Sequence, residues 1–271
     1  MIVYDLETAI MSKGYKREKG LILEISLISI YNTTKSFTCF VMPFLEKYIK
    51  EDELDIYFQK YGANLKPTKK HIKNIGWNMK HAVPLNEALI QVNDFIKSIN
   101  NQKLPLLVAH NGRGFDHRIL KGNLQKCKLP MLDVLYSDSL HDITKKTFPN
   151  FHSHSLSYLH RTLCKNSNSF NWHTAYDDTL GLVEVIVECA YQECLNNLDN
   201  VWKYILQKPL LLKSLNTNLN INLDANKHKI NSKTKEYIKK CFENSDIKKN
   251  NIVRYIVLSY SIDKIWKYRT K

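Results

Sequence analysis

The chain has 271 residues, 44% of them hydrophobic and 24% charged, with only 8 Gly and 7 Pro; this excludes a disordered or collagen-like chain and leaves enough apolar material for one large domain or two unequal ones. Lys and Arg number 40 against 26 Asp and Glu, a formal net charge of +14, which favours a polyanionic partner. No apolar run approaches the roughly 18 residues of a membrane span, no basic-then-apolar leader opens the sequence, and Cys39, Cys127, Cys164, Cys189, Cys194 and Cys241 form no CxxC pair. The expectation is therefore a chain with reduced thiols, inside the cell in cytoplasm or nucleus, with no membrane partner.

Residues 2–4, Ile-Val-Tyr, read as a short apolar strand that runs straight into Asp5. Leu21 to Tyr31 is apolar and β-branched enough for a second strand, and Phe37 to Met42 makes a third, ended by Pro43. The polar, glycine-containing stretch Ser12 to Gly20 reads as the turn between the first two, and residues 45–80 carry no clear pattern. Leu85, Leu89, Val92, Phe95, Ile96 and Ile99 form a helical stripe. Leu104 to Val108 reads as a buried strand leading into Ala109-His110-Asn111-Gly112, Asp116 to Gln125 as helix, and Met131 to Tyr136 as strand. Ser155 to Leu163 is a short helix, and Asp177 to Cys194 a long apolar one with Thr174 and Asp177 as its N-terminal box.

After residue 200 the chain reads as helical in pieces, 200–208, 233–243 and 250–267, with the polar stretch Lys213 to Asn231 after the first. Residues 201–271 hold 16 Lys and Arg against 5 Asp and Glu, a net of +11, whereas the first 200 residues carry only +3. The element order predicts a mixed α/β sheet with covering helices over residues 1–195. A basic, mainly helical extension follows over 196–271.

Four carboxylates stand at the ends of these elements. Asp5 and Glu7 are two apart on a strand, so both point to one face, where like charges raise the cost of ionising each other. Asp116 opens a helix after a strand, and Asp178 opens another, five residues after His173. Carboxylates converging above one sheet would suit hard divalent cations. Two such ions about 4 Å apart suit in-line displacement at phosphorus. Taken singly, each residue reads as a solvated charge or a helix cap rather than a ligand, and spacing alone does not show convergence.

The motifs around these residues carry a resemblance. Ile2-Val3-Tyr4-Asp5-Leu6-Glu7-Thr8 resembles the first motif of the DEDDh 3′→5′ exonucleases, Leu107 to Gly112 followed by Phe115-Asp116 the second, and His173-Thr174-Ala175-Tyr176-Asp177-Asp178 the third. Glu24-Ile25, Phe40 to Pro43, and Asp138-Ser139-Leu140 with Ser155-Leu156 are softer matches. The Ala-His-Asn-Gly and His-Thr-Ala segments are most similar to the three-prime repair (TREX-like) branch. The resemblance covers about residues 1–195 and implies an RNase H-like fold, two Mg²⁺ ions with Mn²⁺ as substitute, and release of nucleoside monophosphates from a 3′ end. It makes Asp5, Glu7, Asp116 and Asp178 the metal carboxylates and His173 the general base, a role suited to an imidazole titrating near working pH. The tyrosine-using sister class would need Tyr at position 174, which here is Thr174.

The same resemblance gives the candidate substrate contacts. These are Glu7, at the terminal 3′-hydroxyl, with Thr8, Ile10 and Met11 after the first strand, and His110, Asn111 and Arg113 in the second motif. Gly is absent after Glu7-Thr8, so Ile10 and Met11 stand in for the usual wedge. Arg113 reads as a phosphate contact or as a solvated loop residue. His110 reads better as a structural hydrogen-bonder than as a catalyst, and Trp172 as a packing residue rather than a base-stacking one. His152 and His154 read as surface histidines rather than a metal site. The expected partner is nucleic acid, DNA before RNA, with homo-oligomerisation open. A 3′→5′ exoribonuclease and a catalytically inactive nucleic-acid-binding module are the alternatives.

Overall fold

The computed structural model describes residues 1–9, 20–42, 82–99, 104–164, 172–208, 236, 239–240 and 251–269. The turn at Ser12 to Lys19, the wedge candidates Ile10 and Met11, Pro43, the stretch 45–80, the polar stretch after residue 212 and most of the helical piece 233–243 lie outside them.

The described strands are β1 (Ile2–Ala9), β2 (Leu21–Ser29), β3 (Asn32–Met42), β4 (Val83–Pro84), β5 (Leu106–Ala109) and β6 (Leu135–Asp138). They form one six-stranded sheet in the order β4-β3-β2-β1-β5-β6. β1, β2 and β3 pair antiparallel, while β5 joins β1 and β6 joins β5 in parallel. Parallel neighbours need long crossovers, and helices occupy them: α1 (Leu85–Ile99) precedes β5, and α2 (Asp116–Lys126) lies between β5 and β6. The fold is of the expected α/β class, a mixed sheet flanked by helices. After β6 come α3 (Leu156–Leu163), α4 (Ala175–Asn196), α5 (Leu198–Leu206) and α6 (Asn251–Arg269).

Alternation along β1 divides its side chains between two faces. Ile2, Tyr4 and Leu6 are buried in one apolar cluster with Ile25 and Leu27 of β2, Leu89, Val92 and Ile96 of α1, and Ile119, Leu120 and Leu124 of α2. Each such side chain removed from water stabilises by roughly 1.5–3 kcal/mol. A polar pin crosses this cluster. The His117 Nε2–H donates to the Ser137 carbonyl at 2.9 Å, which leaves Nδ1 to accept the Tyr4 hydroxyl at 2.6 Å. The first turn of α2 is thereby fixed to both β1 and β6.

The expected strands differ at their edges: β1 runs on from Tyr4 to Ala9, β2 stops at Ser29 rather than Tyr31, and β5 spans Leu106–Ala109 rather than Leu104 to Val108. β3 begins at Asn32, five residues before the expected Phe37, because its ladder with β2 continues to Ser29 opposite Asn32. The strand expected over Met131 to Tyr136 instead runs Leu135–Asp138. Its register is set by β5, with Leu106 opposite Leu135 and Ala109 opposite Asp138. The residues before it turn instead, the Val134 N–H donating to the Leu132 carbonyl at 3.0 Å. A π-helical turn, Ser139–Thr144, follows β6 and has no counterpart in the sequence pattern.

The chain forms two compact units: Met1–Asp142 with Ser153–Val183, and Ile143–His152 with Glu184–Lys271. The sheet belongs to the first. The second has an apolar interior of its own, including Val201 and Ile205 of α5 and Val253, Ile256, Val257 and Leu258 of α6. There Asp263 accepts from the Tyr204 hydroxyl at 3.1 Å and from Lys208 Nζ at 3.4 Å, and Lys264 pairs with Glu193. None of the five cysteines among the described residues is in a disulfide. No described helix is long and apolar enough to cross a membrane.

Candidate active site

On the face of β1 opposite the apolar cluster, Asp5 stands across from Ser26 and Glu7 across from Glu24. A register shift follows between Glu7 and Thr8. Such an irregularity re-aims side chains at the end of a strand. Asp116 is buried at the start of α2, where its Oδ1 accepts the Leu6 N–H at 3.3 Å. The parallel ladder of β5 with β1 covers only Ile2 and Val3. The Asp116 carboxylate therefore serves a β1 amide beyond the reach of that ladder.

The loop before α2 is held by close packing. Asn111 adopts φ 55°, a left-handed conformation that asparagine tolerates. Its carbonyl accepts the N–H groups of Gly114 and Phe115. At Gly112 a Cβ would lie 2.5 Å from the His117 ring, so only glycine fits.

Asp178 lies in the first turn of α4, and its Oδ1 accepts the backbone N–H of His173 at 3.2 Å. The expected N-terminal box is half present, the Thr174 hydroxyl accepting the Asp177 N–H at 3.2 Å. His173 is exposed at φ 75°, a strained conformation for histidine of the kind that clusters at functional sites. Carboxylate oxygens of Asp5, Glu7 and Asp178 all lie within 4.8 Å of one another. Asp116 falls outside that group of three but is the strongest charge acting on Asp5.

Burial and mutual repulsion raise the carboxyls of these acids. The Asp5 carboxyl is raised well above the ordinary range, first by burial and then by Asp116, Asp178, Glu7 and Glu24. Burial, followed by Asp178, pushes Glu7 up to about 8. Asp116 rises to about 7 through burial, against hydrogen bonds from its own amide and that of Leu6. Asp178 is raised by burial while the His173 amide and imidazole draw it back. Every charge that raises Asp5 is another carboxylate, and no Lys or Arg ion pair reaches the cluster among the described residues. An all-oxygen donor set this crowded fits a hard divalent cation, whose charge would let the acids ionise.

The other sequence candidates divide. Thr8 is half-buried at the end of β1 and Asn111 is exposed. Both ring nitrogens of His110 are engaged, Nδ1 with the Ser139 hydroxyl at 2.9 Å and Nε2 donating to the His154 carbonyl at 2.8 Å. Arg113 donates its backbone N–H to Asp138 Oδ2 at 3.1 Å and pairs through its guanidinium with Asp142. Trp172 stands edge-on to His160, and a Cβ on Gly181 would meet its ring at 2.9 Å, which makes it a packing residue. Two buried carboxylates, Glu24 and Asp138, stood in the sequence only within the softer motif matches and were given no role in the site. The available signal was a lone acid inside an otherwise apolar strand, Leu21-Ile22-Leu23-Glu24-Ile25.

Residues 2–186 match the family model described as Exonuclease. The chain belongs to the exonuclease family. Among solved structures, E. coli exonuclease I in complex with a dA16 oligonucleotide matches over 78% of this chain and 45% of its own, with 12% identity and a TM-score of 0.46. Exonuclease I from Methylocaldum szegediense matches over the same 78% and 45%, with 12% identity and a TM-score of 0.44. The nuclease domain of 3′hExo, a DEDDh family member bound to rAMP, matches over 72% of this chain and 91% of its own, with 14% identity and a TM-score of 0.43. The chain thus spans less than half the length of these two exonuclease I chains. No curated protein matches its sequence.

Proposed function

We propose that this protein is a metal-dependent 3′→5′ exonuclease of the DEDDh class, in its three-prime repair branch, releasing nucleoside monophosphates from DNA 3′ ends inside the cell. Residues 1–195 are the catalytic domain and 196–271 a basic extension that follows the substrate's phosphates. The observation that carries the reading is the meeting of Asp5, Glu7 and Asp178 within 4.8 Å in a chain whose residues 2–186 match the exonuclease family.

Asp5, Glu7, Asp116 and Asp178 would hold two Mg²⁺ ions, or Mn²⁺ in their stead. When bound, such ions neutralise charge on the phosphate and favour both the attacking and the leaving oxygen. Glu7 meets the terminal 3′-hydroxyl, with Thr8, Ile10, Met11, Asn111 and Arg113 around the last nucleotide. His173 is exposed to solvent and tied through its N–H to Asp178. It takes the proton of the attacking water. The water oxygen bonds to phosphorus, the bond to the upstream 3′ oxygen breaks, and the shortened strand keeps a 3′-hydroxyl.

The test is incubation of 3′- and 5′-labelled single-stranded DNA, duplex DNA and RNA with Mg²⁺ or with chelator, beside an Asp5→Asn control. The reading requires mononucleotides released from the 3′ end of DNA in a reaction that chelator and the substitution both stop. Preference for RNA would make the protein an exoribonuclease. Binding without release would make it an inactive nucleic-acid module.

A further inference from the structure

Glu24 is an unexpected residue for its place. It is only 8% exposed, on a strand whose other inward positions are apolar or small. It stands directly across from Glu7 in the β1–β2 ladder, on the side of the sheet that carries Asp5 and Glu7. Like charges directly opposite destabilise a ladder, and Glu24 is not one of the three residues whose oxygens gather within 4.8 Å. A buried acid in such a position needs other partners. Its Oε2 accepts the Ala175 N–H at 3.2 Å, and its carboxylate also accepts the N–H of Tyr176.

Those two amides are the first of α4, where a helix leaves its N–H groups without internal partners. Ala175 is fully buried, so water cannot serve its N–H. Local capping does not reach it, since the Thr174 hydroxyl takes the N–H of Asp177. The Thr179 hydroxyl, which donates to the Ala175 carbonyl at 2.6 Å within the helix, also lies 3.5 Å from the Ser26 carbonyl of the same strand. The start of α4 is thus fixed to β2, which is paired residue by residue with β1. His173 lies two residues before Ala175, and Asp178 three residues after it.

We propose that Glu24 is a positioning residue for the reaction: by accepting the Ala175 and Tyr176 amides it sets the distance and angle at which His173 and Asp178 face Asp5 and Glu7. It touches neither substrate nor cation. This inference rests on the roles given above to His173 and Asp178. What matters in Glu24 is the reach of its acceptor oxygens, not its charge.

Three substitutions separate these properties. Glu24→Ala removes the acceptors, Glu24→Gln keeps an acceptor at full reach without the charge, and Glu24→Asp keeps the charge but draws the acceptors back by one methylene. Positioning predicts that Glu24→Ala lowers kcat roughly 10- to 100-fold, the usual effect of losing a group that orients another, with KM little changed. Glu24→Gln then recovers most of that loss and Glu24→Asp does not. Should Glu24→Ala fail to fold, the opposed outcomes of Gln and Asp carry the same test. Amide exchange at Ala175 and Tyr176 in the metal-free protein supplies a readout independent of activity, slow in wild type and Glu24→Gln and faster in Glu24→Asp. The proposal is overturned if Asp retains activity and Gln loses it together with Mg²⁺ affinity, which would make Glu24 a cation ligand. It is equally overturned if the variants lower Tm while kcat per folded molecule stays at the wild-type value. If the wild-type protein cleaves no nucleic acid, the functional reading fails, and the exchange rates alone decide whether Glu24 holds the helix start.

Discussion

On one face of β1, Ile2, Tyr4 and Leu6 are sealed among the side chains of α1 and α2. On the other, Asp5 and Glu7 crowd against Asp178 with their carboxyls pushed upward by burial and by each other. One strand of eight residues therefore carries both a fully buried apolar face and a set of mutually repelling acids. The apolar face lowers the free energy of the folded chain. The acidic face raises it, as sites built for chemistry often do. The difference shows that alternation lets one strand anchor a site and supply its ligands at once, provided the anchoring face is strong enough to hold the other in place.

Substitutions on the two faces should therefore dissociate activity from stability. Glu7→Gln is expected to reduce nuclease turnover to background yet raise the Tm of the metal-free protein at pH 8. The Glu7 carboxyl sits at about 8 when folded against an ordinary 4.5, so the folded chain keeps a proton that the unfolded chain has released. Between those values each rise in pH costs the folded state, and the amide removes that cost. Each kilocalorie relieved raises Tm by about 2–4 °C. The gain should vanish below pH 4, where both states are protonated. A Tm gain that persists there would break the account of the acidic face.

His173→Ala should lower turnover by roughly 10²–10⁴ fold, the usual contribution of a general base, with little change in substrate binding by fluorescence anisotropy. Its exposure and its place outside the apolar cluster predict a small change in Tm. Leu89→Ala, on α1, should do the reverse. It costs roughly 2–5 kcal/mol of stability in denaturant unfolding, while kcat per folded molecule stays within about twofold. A large loss of kcat in folded Leu89→Ala would mean that the two faces are not separable.

The smallest effect concerns the basic end of the chain. Changing several lysines between Lys227 and Lys249 to Glu should weaken binding of a long single strand and flatten its salt dependence. Hydrolysis of very short substrates should continue unchanged. Unchanged affinity and salt slope would assign residues 196–271 to packing alone.

Much of this was legible in the sequence because local patterns carry it. The stripe from Leu85 to Ile99 marked α1 with its observed bounds, and the run from Asp177 to Cys194 marked the body of α4. Strand alternation put Asp5 and Glu7 on one face. Features set by contacts distant in sequence were not legible. The start of β6 depends on its pairing with β5 rather than on the apolar run at Met131. The place of Asp116 beside the group of three, bonded to the Leu6 amide 110 residues away, required the fold. Glu24 meets Ala175 across 151 residues, and nothing in Leu-Ile-Leu-Glu-Ile signals that contact beyond the oddity of the charge itself.

The measurement that bears most directly on the acidic face is calorimetric titration of the metal-free protein with Mg²⁺ at pH 7, in buffers of different ionisation heat. With Glu7 at about 8 and Asp116 at about 7, the cluster still holds protons at that pH, and a cation can bind only by displacing them. The account predicts saturable binding with net proton release, lost in Asp5→Asn and diminished as pH rises past 8. Binding without proton release, or undiminished binding by Asp5→Asn, would contradict it.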